Sequence, residues 1–275
     1  MIIRGKLLEA APDKQKSNLF ALSVSKAKTF KTCKAKYRFQ YIEHLPKKEW
    51  EFQIFGSFLH EVLENFHQYI IDGSKDPDNI VMSKAYKAAL EIWGKKLTSD
   101  QKKQCFEILK GYLTIRNKNQ DNLPEVIAVE KSFNIELDGQ ILLNGFIDVV
   151  QIDSDGILHV SDYKTSKHKK YLKNDFMQLK TYAYSLFLED PSLDIIRCSY
   201  IMLKFNFDTI DVEFTREEAM EMEKEFAEYS ELINKERLFR ASPGPLCNYC
   251  DFLGSCQEGM DKTGVGKVKF GEMDW

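Results

Sequence analysis

Two neighbouring runs with the period of β-strands constrain the fold of this chain more than any other feature. They cover residues 145–152 and 157–164, and the sequence Asp-Ser-Asp-Gly separates them at 153–156. This connection is typical of a three-residue hairpin loop that ends with Gly156 in the left-handed conformation. The sequence therefore predicts an antiparallel hairpin at this point.

The predicted loop length determines which side chains face each other across the hairpin. A loop of this length pairs Asp153 with Ile157. Further along the ladder, Asp148 falls directly opposite Asp162, with Cα atoms about 4.5–5.5 Å apart. Lys164 lies on the same face as Asp162 because side chains alternate along a strand. The sequence therefore predicts two carboxylates and one ammonium on one face, close enough for the carboxylates to share a metal ion.

The remainder of the chain changes its hydrophobic period near residue 120. Before that point apolar residues recur with a helical period, and after it most segments alternate like strands. The order is four helices followed by three strands, a helix, two strands and a helix. The predicted helices cover residues 22–44, 55–71, 80–96, 100–118, 171–188 and 215–238, and the predicted strands cover 126–137, 141–152, 157–164, 195–205 and 209–214.

Length and composition are those of an ordinary globular protein. The 275 residues can bury a substantial core, with 43% hydrophobic and 29% charged residues. No run approaches the roughly 20 apolar residues that span a bilayer, and the first residues lack the apolar stretch of a secretory signal. We therefore expect a cytoplasmic protein without a membrane partner.

Basic residues are unevenly distributed, although the formal net charge is only −3. Segment 26–48 is rich in Lys and Arg, segment 164–173 is rich in Lys, and segment 189–236 is strongly acidic. A basic face on a near-neutral protein is typical of a phosphate-binding groove, although solvated helix faces produce the same pattern. The candidate phosphate-contacting residues are Lys34, Lys36, Arg38, Lys167, Lys169 and Lys170.

The hairpin residues have the chemistry of a metal site. Asp148 and Asp162 supply the oxygen ligands that Mg²⁺ and Mn²⁺ prefer, and the backbone carbonyl of Tyr163 is a further candidate ligand. Lys164 cannot bind a cation, but it can position a water nucleophile or stabilise charge on a phosphate. This set suits metal-assisted phosphodiester hydrolysis, while a salt-bridged surface hairpin is the alternative.

Three residues elsewhere are compatible with the same site. His60 lies near the start of a predicted helix and off its main apolar stripe, although a solvated helix face is the alternative. Gln178 and Tyr182 are spaced i, i+4 on the helix after the Lys164 strand, so they can project together. Glu130, on the first long strand, is a weaker candidate for a supporting role or for a second metal.

The cysteines divide into two groups. Cys105 and Cys198 lie in helical and strand patterns and are expected to be core residues. Cys247 and Cys250 form a C-x2-C pair that Cys256 follows, and Cys33 lies far upstream. Four thiolates suit either zinc or an iron–sulfur cluster, and the spacing does not choose between them.

Taken together, these motifs resemble the RecB-like branch of the PD-(D/E)XK nuclease superfamily. The N-terminal segment, a Ser-x-Ser start followed by a cysteine, also resembles that branch, and the resemblance covers residues 22–256. The second acid is Asp rather than the commoner Glu, and nothing resembles an attached helicase. The matching motifs are Gly-x-x-x-His60, Gly-x-Ile-Asp148, Asp162-Tyr-Lys164 and Gln178-x-x-x-Tyr182.

The resemblance implies roles for these residues. His60, Asp148 and Asp162 would bind Mg²⁺ or Mn²⁺, and Lys164 would assist attack by water. Gln178 and Tyr182 would contact DNA or order the site. The iron–sulfur members of this branch, of the AddB and CRISPR-associated types, imply a [4Fe–4S] cluster on Cys33, Cys247, Cys250 and Cys256, with zinc as the alternative.

The expected fold is α+β, with a restriction-endonuclease-like core. A mixed sheet of about five strands would be flanked by helices, and an N-terminal helical region would pack with a C-terminal cysteine cluster. The expected divisions are an irregular segment 1–21, a helical region 22–120, a nuclease core 121–240, a cysteine cluster 241–260 that closes with Cys33, and a flexible tail 261–275.

The function that follows is a metal-dependent DNA exonuclease acting on single-stranded DNA or DNA ends. Its context would be recombination, repair or CRISPR-type DNA processing, and its partners would include a helicase, a recombinase or a single-strand-binding protein. The alternatives are a non-catalytic module that binds DNA ends for a larger machine and a zinc-bearing interaction protein.

Overall fold

A computed structural model describes residues 4–9, 18–166, 168–170 and 172–265. Lys167 and most of the predicted tail, from residue 266 onward, lie outside the described residues. The chain forms two compact units. We call Met1–Ala21 with Trp50–Ala227 the sheet unit, and Leu22–Glu49 with Glu228–Trp275 the cysteine unit.

The sheet has seven described strands rather than the predicted five or so. The five long ones match the predicted strands, and the two short ones come from the N-terminal segment that was predicted to be irregular. Three residues are too few to show a periodic pattern. The strands are β1 (Gly5–Leu7), β2 (Phe20–Leu22), β3 (Glu125–Leu137), β4 (Ile141–Ile152), β5 (Leu158–Lys164), β6 (Ile195–Met202) and β7 (Asp208–Thr215).

The described helices include all six predicted ones, with one of them broken. The predicted helix 22–44 ends at Cys33, whose extended backbone (φ −159°, ψ 111°) separates two helices and a following π-helical turn, Arg38–Ile42. No Gly or Pro marks this break in the sequence. The helices are α1 (Val24–Thr32), α2 (Lys34–Tyr37), α3 (Glu51–Ile71), α4 (Asp78–Trp93), α5 (Ser99–Lys118), α6 (Met177–Glu189), α7 (Arg216–Lys235) and α8 (Gln257–Thr263).

The sheet is mixed, as predicted. Its order is β1-β3-β4-β5-β6-β7, and β2 pairs separately with β4. Strands β5 and β6 are parallel, which requires a crossover, and α6 supplies it. The pairs β3–β4, β4–β5 and β6–β7 are antiparallel. The fold therefore combines an antiparallel meander with one βαβ unit.

Apolar packing fixes α3 against one face of the sheet. Its predicted stripe is buried, with Leu59, Leu63 and Phe66 each 0% exposed. These side chains form one cluster with α4, α5 and the sheet residues Val149 and Tyr163. Asp148 and Asp162 are the chain neighbours of Val149 and Tyr163, so this packing brings α3 close to both acids.

The smaller sequence predictions are also informative. Cys105 and Cys198 are both fully buried, which confirms their assignment to the core. The predicted capping box of α7 forms, because Thr215 N–H donates to Glu218 Oε2 at 2.9 Å and Glu218 N–H to Thr215 Oγ1 at 3.3 Å. Within the described part of the chain, no helix combines the length and hydropathy that a bilayer span requires.

Candidate active site

The β4–β5 hairpin has the predicted loop and register. Asp153 N–H donates to the Ile157 carbonyl at 3.0 Å, and Gly156 has φ +80°. The last pair of the ladder matches Val149 with Ser161. The predicted pair of Asp148 and Asp162 would come next, one residue beyond the end of the ladder, and it stays a prediction.

Asp162 is the most buried acid of the site, at 1% exposure. Its Oδ2 lies 2.5 Å from Lys164 Nζ in an ion pair, yet it accepts no hydrogen bond of good geometry from any described residue. Its Oδ1 accepts a long hydrogen bond of 3.4 Å from the Tyr182 hydroxyl. Burial, and then the charge of Asp148, raise the pKa of Asp162 to about 6 despite the opposing effect of Lys164.

Asp148 joins the hairpin to helix α3. Its Oδ2 accepts a 3.0 Å hydrogen bond from Tyr163 N–H and lies 3.3 Å from His60 Nδ1. Burial disfavours the charged imidazole, but the hydrogen bond and charge of Asp148 outweigh it and raise the pKa of His60. The predicted residues His60 and Asp148 are therefore in direct contact.

Lys164 is held by a short chain of polar contacts. Its Nζ donates to Gln178 Oε1 at 3.0 Å, and Gln178 Nε2 donates to the Tyr182 hydroxyl at 2.6 Å. The Tyr182 hydroxyl in turn donates to Asp162 Oδ1. The i, i+4 pair on α6 thus projects toward Lys164 and Asp162, and it orients the ammonium beside the carboxylate.

The backbone N–H of Tyr163 is directed toward Asp148, whereas its side chain is buried in the apolar cluster with α3. Its N–H points toward Asp148, and the carbonyl of a strand residue points to the same side as its N–H. Since the β4–β5 ladder ends at Val149 and Ser161, β4 does not use that carbonyl as a ladder acceptor. The carbonyl as a metal ligand stays a prediction.

Two more carboxylates belong to this site. Glu130 is the weaker candidate named from the sequence, and Glu64 lies one turn after His60 on α3. Burial raises the pKa of Glu130 to about 7, with Asp148 and Glu64 adding to the effect. Burial, then Glu61 and Asp148, raise the pKa of Glu64.

Glu130 also has an unusual backbone. Its φ of +44° lies in the left-handed region although it stands inside β3, between the pairs Val129–Val149 and Lys131–Ile147. Such a conformation costs about 1–2 kcal/mol for a residue with a side chain. Strained residues of this kind cluster at functional sites, and no sequence pattern reveals them.

One neighbour of His60 is not part of a solvated helix face. His67 is 2% exposed, and its Nε2 lies within hydrogen-bonding distance of the Tyr112 hydroxyl, at 2.8 Å, and of the Tyr163 hydroxyl, at 3.2 Å. Burial, with the charge of Arg116, lowers the pKa of His67 to about 3. The solvated-face alternative is therefore wrong for His67, which is a neutral core residue.

Most of the candidate phosphate-contacting residues make ion pairs within their own unit. Lys34 pairs with Glu236, Lys36 lies 4.0 Å from Asp251, and Arg38 pairs with Glu43 at 2.9 Å in the cysteine unit. Lys169 pairs with Asp208 in the sheet unit, and Lys170 is exposed. Lys167 lies outside the described residues. The role of all six in DNA binding stays a prediction.

The donor chemistry of the acidic site suits a hard divalent cation. We define this site as His60, Glu64, Glu130, Asp148, Asp162, Lys164, Gln178 and Tyr182. Burial is the main cause of the raised pKa values of Asp162 and Glu130, and repulsion among the carboxylates adds to it, so a bound cation would stabilise their charged forms. The side chains are nevertheless ion-paired among themselves, and no group of three or more His, Cys, Asp or Glu in the described ranges is arranged to hold a metal ion.

The four candidate cysteines all lie in the cysteine unit and carry free thiols. Cys33, Cys250 and Cys256 pack against one small apolar cluster that includes Phe39 and Phe252. Burial raises the pKa values of Cys250 and Cys256, and the neighbouring Cys33 adds to both shifts. Cys247 Sγ accepts a 3.4 Å hydrogen bond from Gly244 N–H. The lack of a metal-holding group among the described residues applies here too.

The fold and the acidic site indicate a class of protein, and a comparison with known protein families gives the same class. The family model of the PD-(D/E)XK nuclease superfamily matches residues 21–257. The chain therefore belongs to the PD-(D/E)XK nuclease superfamily, and the expected membership is confirmed.

Known relatives extend this result. The chain is similar to the B subunit of the ATP-dependent helicase/deoxyribonuclease of Streptococcus pyogenes serotype M3, with 26% identity over 207 residues, covering 64% of this chain and 19% of the relative. The corresponding protein from serotype M6 is 27% identical over 207 residues, with the same coverage. The chain thus spans about a fifth of the length of these relatives.

A solved structure supports the fold independently. The crystal structure of a proposed exonuclease from Eubacterium rectale aligns with a TM-score of 0.51 and 13% identity. The alignment covers 88% of this chain and 92% of that one. At this identity the likeness shows a shared fold, and it confirms the expected α+β architecture.

Proposed function

We propose that this protein is a divalent-metal-dependent deoxyribonuclease that acts as an exonuclease on single-stranded DNA or DNA ends. The observation that carries the proposal is the proximity of Asp148, Asp162 and Lys164 at the end of the hairpin, with the pKa of Asp162 raised by burial and then by the charge of Asp148. The similarity to proteins named for deoxyribonuclease activity supports DNA as the substrate.

His60, Asp148 and Asp162 would hold Mg²⁺ or Mn²⁺, with Glu130 and Glu64 as further carboxylates at its edge. When bound, the metal would polarise the phosphate and lower the pKa of a water nucleophile. Imidazole is a ligand that Mn²⁺ tolerates better than Mg²⁺ does. His60 Nδ1 and Asp148 Oδ2 lie 3.3 Å apart, so both groups would be available to hold the same metal.

Lys164 would stabilise negative charge on the phosphate and orient the attacking water. Gln178 fixes the position of its Nζ from the α6 side, and Tyr182 supports Gln178. Because Lys164 is only 23% exposed, its charge acts in a partly desolvated site, where electrostatic stabilisation is stronger than in water. The ion pair with Asp162 would hold the ammonium within reach of the scissile group.

The cysteine group, Cys33, Cys247, Cys250 and Cys256, would hold a [4Fe–4S] cluster, with zinc as the alternative. Four thiols and no other donor type suit both. The raised pKa values of Cys250 and Cys256 favour neutral thiols, so metal binding would also supply the free energy that deprotonates them. We infer a structural role, because the cluster would tie an N-terminal segment to a C-terminal one.

A helicase, a recombinase or a single-strand-binding protein is the proposed partner, in recombination, repair or CRISPR-type processing. The relatives are named for a helicase as well as a deoxyribonuclease, which supports a helicase as the source of any unwinding activity.

The proposal is tested by nuclease assays of Asp148→Asn and Lys164→Ala beside the unsubstituted protein, in Mn²⁺ and in EDTA. We expect activity that requires the metal and falls at least about 100-fold in both variants. Asp121→Asn and Lys87→Ala, two exposed positions, serve as matched controls and should retain activity. Activity that survives both site substitutions would refute the assignment, and metal-independent DNA binding without cleavage would favour a non-catalytic module.

A further inference from the structure

The beginning of helix α3 carries an aromatic pair that the acidic site does not use. Trp50 precedes the helix and Phe52 lies in its first turn, and we call them the aromatic pair. Their rings stack with centroids 5.9 Å apart and planes 26° apart. Phe52 is 48% exposed. Both residues belong to the sheet unit.

The exposure of Phe52 departs from the pattern of its own helix. Phe55 and Leu59 lie three and seven residues further on, on the same side of the helix, and they are 2% and 0% exposed. The apolar stripe of α3 thus continues to its first turn, where it leaves the core and faces solvent. The stacked rings of Trp50 and Phe52 therefore form a small aromatic surface at the end of the buried stripe.

The same side of α3 leads from Phe52 to the acidic site. Gly56 lies one turn after Phe52, and a Cβ there would stand 2.9 Å from Thr165 Oγ1, so the helix backbone passes close to the residue after Lys164. His60 lies one further turn along. The rise of 1.5 Å per residue places Phe52 about 12 Å from His60 along the helix axis.

Charge around the pair favours the face of a base over a phosphate. Lys204 Nζ lies 4.3 Å from the ring centroid of Phe55, so one cation stands beside the first turns of α3. Glu49 and Glu51, however, flank Trp50 in the sequence and are both exposed. These two carboxylates offer no attraction for a phosphate, so binding at the pair would depend on stacking against an uncharged base.

We propose that Trp50 and Phe52 form a stacking platform for an unpaired base of the DNA strand that enters the acidic site. The inference rests on the proposed function and specifies its substrate as single-stranded. Stacking on an aromatic side chain requires a base with a free face, which a duplex interior does not offer. A span of about 12 Å corresponds to roughly three or four nucleotides at about 3.4 Å per stacked base, so the platform holds a base that far from the scissile phosphate.

The test scans a single abasic position through a single-stranded oligonucleotide and measures binding in EDTA, where no hydrolysis occurs. The dissociation constant is measured for the unsubstituted protein, Phe52→Ala and Trp50→Ala, with Phe106→Ala as a matched control. Phe106 is another exposed phenylalanine of the sheet unit, on α5. Phe52→Tyr, which keeps an aromatic face, is the conservative variant.

The platform predicts that Phe52→Ala and Trp50→Ala weaken binding about tenfold, whereas Phe52→Tyr and Phe106→Ala bind normally. It also predicts one oligonucleotide position at which the missing base weakens binding by the unsubstituted protein but not by Phe52→Ala. Unchanged affinity in the alanine variants, or equal sensitivity of all proteins to the missing base, would overturn the platform. Loss of self-association in Phe52→Ala with unchanged DNA affinity would also overturn it, because the pair would then join two copies of the chain.

The binding experiment separates this inference from the proposed function. If the unsubstituted protein binds DNA with the predicted position dependence but does not cleave it in Mn²⁺, the platform stands and the nuclease proposal fails. If it cleaves DNA with unchanged rate and affinity after Phe52→Ala, the nuclease proposal stands and the platform fails.

Discussion

The acidic site and the cysteine group are built in opposite ways. In the acidic site, the register of one hairpin and the pitch of two helices place the side chains, and each predicted group is already hydrogen-bonded or ion-paired. The sheet unit behind it has a core cluster of sixteen buried residues. In the cysteine group, Cys33, Cys250 and Cys256 have extended backbone at the ends of helices and pack against a cluster of three buried residues, Ala35, Phe39 and Phe252.

This difference predicts which of the two sites needs a bound metal to keep its structure. The backbone of the sheet holds the acidic site in place. Replacing one of its candidate metal ligands should therefore change the rate of DNA cleavage more than the free energy of unfolding. The cysteine group has little apolar packing of its own to stabilise it. Its structure should therefore depend on whatever the thiols bind, since metal binding then contributes folding free energy directly.

The largest expected effect is on activity at the acidic site. Asp162→Asn should lower the rate of DNA cleavage about 1,000-fold or more, because it would remove a proposed metal ligand and the ion-pair partner of Lys164. The same variant should be more stable at pH 7. The raised pKa of Asp162 means that its charge opposes folding above its usual pKa of 3.8, by roughly 1–3 kcal/mol.

Cleavage rate and urea unfolding, measured on the same preparation, check this prediction. A fall in stability of Asp162→Asn at pH 7, together with retained activity, would show that the acid is a structural residue.

The next effect concerns stability of the cysteine unit. Cys250→Ala should abolish bound iron or zinc and lower the free energy of unfolding by about 3 kcal/mol or more. Cys105→Ala, at a fully buried core thiol, serves as the control and should keep its metal content. Metal analysis and thermal unfolding of anaerobically purified protein provide the readout. Equal metal content in both variants would contradict the proposed cluster.

A smaller effect concerns pH and the core beneath the acidic site. The folded pKa of His67 is about 3, below its usual 6.5, so the unfolded chain binds more protons between these values and stability falls as the pH falls through that window. From pH 7 to pH 5 the cost is about 2 kcal/mol. His67→Gln keeps an acceptor for Tyr112. Its free energy of unfolding should therefore fall by about 2 kcal/mol less between pH 7 and pH 5 than that of the unsubstituted protein. Parallel slopes of stability against pH for the two proteins would show that His67 is not buried as described.

The smallest expected effect tests backbone strain at Glu130. Glu130→Gly and Glu130→Ala both remove the carboxylate, but only Gly adopts a φ of +44° without cost. The Gly variant should therefore be more stable than the Ala variant by about 1 kcal/mol, while both lose activity. Urea unfolding measures the difference. A less stable Gly variant would mean that the strand holds Glu130 without strain.

The hairpin and the α6 pair could be predicted because short-range rules fix them. A Gly-terminated loop sets the register of Asp148 and Asp162, and the spacing of Gln178 and Tyr182 sets their common direction on a helix. The long strands were likewise visible as a period of two. These features depend on residues close together in the sequence.

The features that escaped prediction depend on tertiary packing. Cys33 breaks a helix although no Gly or Pro marks the position. Strands β1 and β2 are too short to show a period of two. The positive φ of Glu130 goes with its place opposite Asp148 in the sheet. His67 shares the helix face of His60 in the sequence, yet it is buried because Tyr112 and Tyr163 reach it from other elements. Each of these outcomes is decided by a partner distant in the chain.

The central claim is that Asp148, Asp162 and Lys164 form a metal-dependent nuclease centre, and one combined titration tests it most directly. Mn²⁺ binding and the rate of cleavage of 5′- and 3′-labelled single-stranded DNA are followed together as Mn²⁺ is added to the unsubstituted protein and to Asp148→Asn. The account predicts that the rate rises in step with occupancy of a Mn²⁺ site and that Asp148→Asn loses both. Cleavage that proceeds equally in EDTA, or that persists in Asp148→Asn at full rate, would contradict it.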